Sequence, residues 1–477
     1  MKAPFSPYLT ELAPGLKELI RLLEKDFDSV SVLSTDCVGF SVSISQHGKN
    51  ISHENLTTER GTVVRVRRAG QYAEAALTGF DPSGAEETAA WVRGELNSQL
   101  EMLESVGVKA FDTPQTPDEE ASLFVEMETE QLPETADLPD LVRRFSDISD
   151  RGMKEGRDML DCMVRGSSTH ISKLFLTGKR DLRQSYVYSE GSVVTLASRD
   201  GKTESDYEAV SGRKGPEIFT ELEGKLDTAL RVVEELLGAE RVVPGEYECI
   251  TAPDVTGLIA HEAFGHGVEM DMFVKGRALG AEYIGKRVGS DLVTMHEGAL
   301  CAEDVTSYAF DDEGVMAGDV TEIDRGILKT GICDMLSALR LGTSPTGNGK
   351  RESFSHKVYT RMTNTIFDSG NSTLDEMIAS IKKGYLLEGM DSGMEDPKHW
   401  GIQCLLERGY EIIDGKLTGK VVSPVVMTGY VPDLLGSVSM LSGDREVFGS
   451  GYCGKGHKEW VKVADGGPYL KVKARLG

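Results

Sequence analysis

The segment PDVTGLIAHEAFGHGVE at residues 253–269 restricts the fold of this chain more than any other part of the sequence. Asp254 is a suitable N-cap and apolar residues follow at helical spacing, so the segment predicts a buried helix. This helix runs into His261 and His266. On an ideal helix, residues five apart point about 140° away from each other. The two imidazoles therefore meet only if the helix bends, through a π-bulge or by unwinding at the glycines beside His266.

Two histidines that flank a glutamate are typical of a catalytic zinc site. In the shorter HExxH motif, both imidazoles bind zinc from one helical face and the glutamate is the general base. Glu262 has the corresponding position here, between His261 and His266. We therefore predict a distorted metal-binding helix with these two histidines as ligands. The alternative is a purely structural pair of polar residues at a helix end, where the dipole favours histidine.

The third metal ligand is not determined by the spacing. A catalytic zinc ion usually has three protein ligands and one open position. Glu269 lies on the same helical sector as the histidines and Asp271 follows it, so either carboxylate is a candidate. Cys453 is a remote candidate, because the glycines around it allow close backbone approach and Lys455 favours its thiolate form.

The rest of the chain predicts an α+β fold in which N-terminal α/β units precede a β-rich C-terminal domain. Residues 1–110 alternate helical and strand-like patterns, which predict the first α/β domain. Residues 111–140 hold ten acidic residues, four prolines and no basic residue, which indicates a linker or an exposed crossing segment. Residues 141–240 predict a second α/β part. Residues 241–477 consist of short apolar runs separated by glycine and predict the β-rich domain that carries the metal-binding helix.

Composition excludes several classes of protein. The 52 basic and 77 acidic residues give a net charge of −25, which disfavours nucleic acid and anionic membrane surfaces as partners. Seven scattered cysteines without a CxxC pair are typical of a reduced, cytoplasmic protein. No run of about 20 apolar residues predicts a membrane span. We therefore expect a cytoplasmic protein with neither a nucleic acid nor a membrane as its partner.

Hydrogen-bond donors in the middle of the C-terminal half are candidates for substrate binding. Arg351, Arg361 and Asn364 follow the turn-forming sequence TGNG and could bind a peptide backbone or C-terminus. A structural hairpin with surface arginines is an equally good interpretation.

Three segments in sequence order resemble the TldD/PmbA family, whose members are also called modulators of DNA gyrase and include peptide-maturation metalloproteases. The segments are HEAFGHGVEMD, SPTGNGKRESFSHKVYTRMTNTIF and SGYCGKGHKEWVKVADGGPYLKV. The presence of HExxxH and a C-terminal cysteine is similar to the TldD-type subunit, because the PmbA-type subunit lacks the metal motif. The resemblance implies a zinc ion held by His261, His266 and Cys453, with Glu262 as the general base. It thereby selects Cys453 over Glu269.

The predicted function is that of a zinc metallopeptidase that hydrolyses unstructured peptides or proteins in peptide maturation or degradation. The resemblance also implies a dimer, formed with a second copy or with a PmbA-like subunit. One alternative is a non-catalytic interaction or modulator protein with a structural zinc, in which Glu269 or His457 is a fourth ligand. His457 departs from the family pattern, and we expect it to be an exposed loop residue. Another alternative is a thiol hydrolase with Cys453 as its nucleophile.

Overall fold

The computed structural model describes residues 1–54, 59–105, 112–455 and 458–477. In this part of the chain, eight strands form an N-terminal sheet and eleven strands form a C-terminal sheet. The predicted α+β fold class, with a β-rich C-terminal domain, is confirmed. No helix in the described ranges is both long enough and apolar enough to cross a membrane.

Four α-helices pack on the N-terminal sheet, whose strand order is β4-β3-β1-β6-β7-β5, with β2 on β1 and β8 on β7. The elements are α1 (Pro7–Leu23), β1 (Ser29–Ser45), β2 (Gly48–Ser52), β3 (Glu59–Arg68), β4 (Gln71–Leu77), α2 (Ala85–Ser105), β5 (Ala121–Glu126), α3 (Leu138–Glu155), β6 (Met159–Leu176), β7 (Arg180–Arg199), β8 (Lys202–Gly212) and α4 (Leu222–Gly238). Strand β5, from the acidic segment, pairs with β7 in parallel. Strands from residues 1–110 and 141–240 thus share one sheet.

The C-terminal sheet has the order β12-β11-β10-β15-β23-β19-β17-β16-β9, with β18 on β17 and β20 on β23. Its strands are β9 (Gly245–Thr251), β10 (Met295–Glu297), β11 (Val320–Asp324), β12 (Ile327–Leu328), β15 (Asn364–Phe367), β16 (Lys383–Glu395), β17 (Gly401–Ile413), β18 (Lys416–Val422), β19 (Val425–Tyr430), β20 (Met440–Phe448) and β23 (Ala464–Leu476). Strand β9 pairs with both β16 and β23. Five strands, β23, β19, β17, β16 and β9, therefore form a closed ring.

Short helices and two hairpins complete the C-terminal half. The helices are α5 (Pro253–Ala260), α6 (Met270–Val274), α7 (Met335–Leu341), α8 (Leu374–Ala379) and α9 (Val431–Gly436). One hairpin consists of β13 (Gly349–Lys350) and β14 (Tyr359–Thr360), and the other of β21 (Tyr452–Lys455) and β22 (Lys458–Lys462).

Helix α5 packs against the ring of strands. Its residues Val255 and Ile259 are fully buried in a core shared with Leu387 of β16 and Val472 of β23. The burial of these apolar groups stabilises the position of the helix, at roughly 1.5–3 kcal/mol for each large side chain. The histidine segment that follows α5 is therefore held on a rigid base.

The predicted N-cap of this helix is wrong. The helix begins at Pro253, and Ala252 occupies the N-cap position without a side-chain hydrogen bond. Asp254 instead accepts hydrogen bonds from the backbone N–H groups of Gly389 and Met390, at 2.9 and 3.0 Å. Its carboxylate thus joins the first turn of α5 to strand β16 instead of capping the helix.

Candidate metal centre

The chain leaves α-helical geometry at the histidines, as their spacing predicts. Residues His261–Gly265 form a π-helical turn, and His266–Val268 form a 3-10 turn. The backbone N–H of His266 donates to the carbonyl of His261, five residues earlier. Gly265 permits this path, because a Cβ at that position would lie 2.1 Å from Met362 Sδ. The turn brings the two imidazole rings to a centroid distance of 5.2 Å.

Strand β21 brings Cys453 to the same point. Its Sγ lies 3.2 Å from His266 Nε2, and one ligand atom from each of His261, His266 and Cys453 lies within 4.8 Å of the other two. His261 and Cys453 are 5% and 4% exposed. In the described part of the chain, these two histidines and one cysteine lie close enough together to hold one metal ion.

The charges of this cluster suit a metal site. Burial disfavours a charged sulfur, but the two imidazoles outweigh burial and hold the pKa of Cys453 well below its usual range. Burial likewise disfavours a charged imidazole, but the thiolate raises the pKa of His261 to about 9. A thiolate and two imidazole nitrogens are the donor types that zinc prefers in proteins. The residues present therefore fit a zinc ion.

A carboxylate lies behind each histidine. Glu269 Oε2 is 3.1 Å from His266 Nδ1, and Asp465 Oδ2 is 3.7 Å from His261 Nδ1. His261 Nδ1 is buried and has no hydrogen-bond partner among the described residues. Carboxylates in this position fix the orientation of metal-binding imidazoles. Glu269, a candidate ligand by sequence, thus contacts the opposite side of the ring from Cys453.

The other candidates from the sequence occupy different positions. Asp271 pairs with Lys455 at 2.6 Å and with Lys275 at 2.9 Å. His457 lies outside the described residues. Asp465, in strand β23, was not identified from the sequence, where it is one acidic residue before two glycines with nothing to connect it to residue 261.

Glu262 lies beside the donor cluster and packs on strand β16. It is 7% exposed, and a Cβ at Gly393 would lie 2.4 Å from its Cγ. Glu395, two residues further along β16, shares the sheet face of Gly393. Both of its carboxylate oxygens are buried without a hydrogen-bond partner in the described ranges, and burial raises its pKa to about 9. Sequence reasoning missed both Gly393 and Glu395.

The three predicted substrate-binding residues have partners within the protein. Arg351 pairs with Glu74 at 2.6 Å. Asn364 is fully buried and accepts a hydrogen bond from Thr306 Oγ1 at 2.6 Å. Arg361 is also fully buried, and its Nη2 donates a hydrogen bond to the carbonyl of Cys453. A substrate-binding role for these residues stays a prediction.

Comparison with known proteins finds a matching family, similar sequences and a similar structure. Residues 244–474 match the PmbA/TldA metallopeptidase C-terminal domain. A metalloprotease of Methanocaldococcus jannaschii is 31% identical over 337 residues, which cover 67% of this chain and 71% of that protein. A metalloprotease TldD homolog of Haemophilus influenzae is 32% identical over 289 residues, covering 59% of this chain and 60% of that protein. The crystal structure of TldE from Thermococcus kodakarensis has the same fold, with a TM-score of 0.75, 18% identity and coverage of 97% of this chain and 100% of the other.

Proposed function

The chain belongs to the TldD/PmbA family, and we propose that it is a zinc metallopeptidase acting on unstructured peptides or proteins. The observation that carries the proposal is the approach of the ligand atoms of His261, His266 and Cys453 to within 4.8 Å of one another. Similar proteins in two other organisms are named metalloproteases, which supports the reaction class. We further propose that it acts in the cytoplasm as a dimer, with a second copy or with a PmbA-like subunit, as its membership of the TldD/PmbA family implies.

The residues in and around the donor cluster have different roles in the proposed reaction. Zinc bound here would polarise the scissile carbonyl and lower the pKa of water. Glu262 accepts a proton from the attacking water and passes it to the leaving amine nitrogen. Glu269 and Asp465 face the Nδ1 atoms of the two histidines, which leaves the other ring nitrogen of each to bind the metal.

A catalytic role is better supported than a structural one. A structural zinc site has four protein ligands, whereas a catalytic site has three and keeps one position for water or substrate. The donor cluster has three members in the described residues. Among the described residues, Glu269 is the candidate fourth ligand, but it contacts His266 Nδ1, away from Cys453.

Metal removal tests the proposal. The purified chain, alone and with a PmbA-like subunit, is expected to contain about one zinc per chain and to cleave an unstructured peptide. Dialysis against a chelator should abolish cleavage, and added zinc should restore it. The measurements are elemental analysis and the rate of peptide cleavage. Cleavage that survives complete metal removal but is lost on thiol alkylation would support the thiol hydrolase instead.

Gly393→Ala tests the position of Glu262. The new methyl group would lie 2.4 Å from Glu262 Cγ, so the glutamate must move. We expect kcat to fall by about 10²-fold, the effect typical of a 1 Å displacement of a catalytic group, with zinc content unchanged. Gly401→Ala, in the adjacent strand, is the matched control, because no atom lies within 4 Å of its added Cβ. Full activity of Gly393→Ala would contradict the assigned position of the base.

A further inference from the structure

We propose that Arg361 is a positioning residue that fixes Cys453 relative to His266, and that it thereby controls metal affinity without contacting substrate. The inference rests on the proposed metal site but does not require peptide hydrolysis. It assigns to Arg361 a different role from the substrate binding that the sequence suggests.

The first observation is the contact of Arg361 with the hairpin that carries Cys453. Its Nη2 donates to the carbonyl of Cys453 at 2.7 Å, and its Nη1 donates to the carbonyl of Glu459. These carbonyls belong to β21 and β22, the two strands of the hairpin. A planar guanidinium presents its donors in a fixed arrangement, so Arg361 holds both strands in one position.

The second observation is the contact of Arg361 with the histidine segment. Its Nε lies 3.7 Å from Glu269 Oε1, and Glu269 Oε2 lies 3.1 Å from His266 Nδ1. Arg361 therefore connects the two ligand-bearing segments, one through the Cys453 carbonyl and the other through Glu269. Lys455 adds a parallel connection, because its Nζ lies 3.2 Å from Glu269 Oε2.

Burial separates this role from substrate binding. The side chains of Arg361 and Glu269 are 0% and 2% exposed. The Nη donors of Arg361 are directed at protein carbonyls, and its Nε faces Glu269. A peptide would have to displace these contacts to reach the guanidinium. Displacing the partner of a buried charge leaves that charge uncompensated, so such displacement is unfavourable.

The test compares Arg361→Lys and Arg361→Met with wild type. We expect the zinc dissociation constant of the apo protein, measured by competition with a chromophoric chelator, to rise by about 10- to 100-fold. At saturating zinc, the KM for an unstructured peptide should stay unchanged. Glu269→Gln should weaken zinc binding similarly, and the double variant with Arg361→Lys should show less than additive loss, because the two residues act through one contact. If Arg361→Met fails to fold, zinc affinity in Arg361→Lys and Glu269→Gln still tests the proposal.

Arg65→Met is the matched control, since Arg65 is also buried and pairs with Glu74 and Glu313. It should lower stability without changing zinc affinity. Unchanged zinc affinity in both Arg361 variants would overturn the proposal, and a raised KM in the same variants would assign Arg361 to substrate binding. Weakened zinc binding in a protein that cleaves no peptide would support the positioning role and contradict only the peptidase function.

Discussion

Replacement of Glu262 by Gln is expected to lower kcat/KM for an unstructured peptide by about 10²- to 10⁴-fold, the usual contribution of a general base. The amide has the shape of the carboxylate and fits the same space against Gly393, but it cannot accept the proton of the attacking water. Glu262 is outside the donor cluster of His261, His266 and Cys453. Zinc content, measured by elemental analysis, should therefore equal that of the wild type.

A matched variant separates this effect from general damage. Glu388→Gln changes a carboxylate on the same strand as Gly393, where it pairs with Arg408 at 3.2 Å. It should keep both zinc and activity. If Glu262→Gln cleaves at the wild-type rate, the base is another group, and Glu395 is the next candidate. If wild type binds zinc but no condition gives cleavage that depends on Glu262, the chain is better explained as an interaction protein with a structural zinc.

The bend in the metal-binding helix could be predicted because its determinants are local. The spacing of His261 and His266 is incompatible with one face of an α-helix, and Gly265 beside them allows the backbone to change. The π-helical turn therefore follows from a few consecutive residues. The β-rich character of the C-terminal half was likewise visible in short apolar runs separated by glycine.

The residues that surround the cluster could not be predicted, because strand register brings them there. Asp465 reaches His261 through the position of β23, and Gly393 reaches Glu262 through the position of β16. Nothing in the local sequence of either strand marks these positions. The same limit applies to Arg361, whose donor character suggested substrate binding, while its burial and its contact with the Cys453 carbonyl were not visible.

The family resemblance predicted Cys453 as a metal ligand, whereas the residue spacing alone did not. Spacing left Glu269, Asp271 and Cys453 open as the third ligand, and only the resemblance to the TldD/PmbA family selected the cysteine. The chain separation of 187 residues between Cys453 and His266 gives no local signal for their contact. In the structure they meet because strand β21 places Cys453 Sγ 3.2 Å from His266 Nε2.

Cys453→Ala is therefore expected to remove zinc almost completely and to abolish cleavage. It deletes one of three ligands, so the zinc dissociation constant should rise by more than the 10- to 100-fold typical of residues behind the ligands. Cys249→Ala is the matched control, because burial raises the pKa of the Cys249 thiol and keeps it neutral and unavailable to a metal. The measurements are chelator competition and peptide cleavage for both variants.

Cys453→His distinguishes the two roles that a reactive cysteine could have. Three histidines form a known catalytic zinc set, so a ligand role predicts that this variant recovers part of the zinc and part of the cleavage lost in Cys453→Ala. A nucleophilic role predicts no recovery, because an imidazole cannot replace the thiolate in a covalent intermediate with the same chemistry. If Cys453→Ala itself keeps its zinc, the third ligand is one of the carboxylates, and Glu269, already in contact with His266, becomes the first to test.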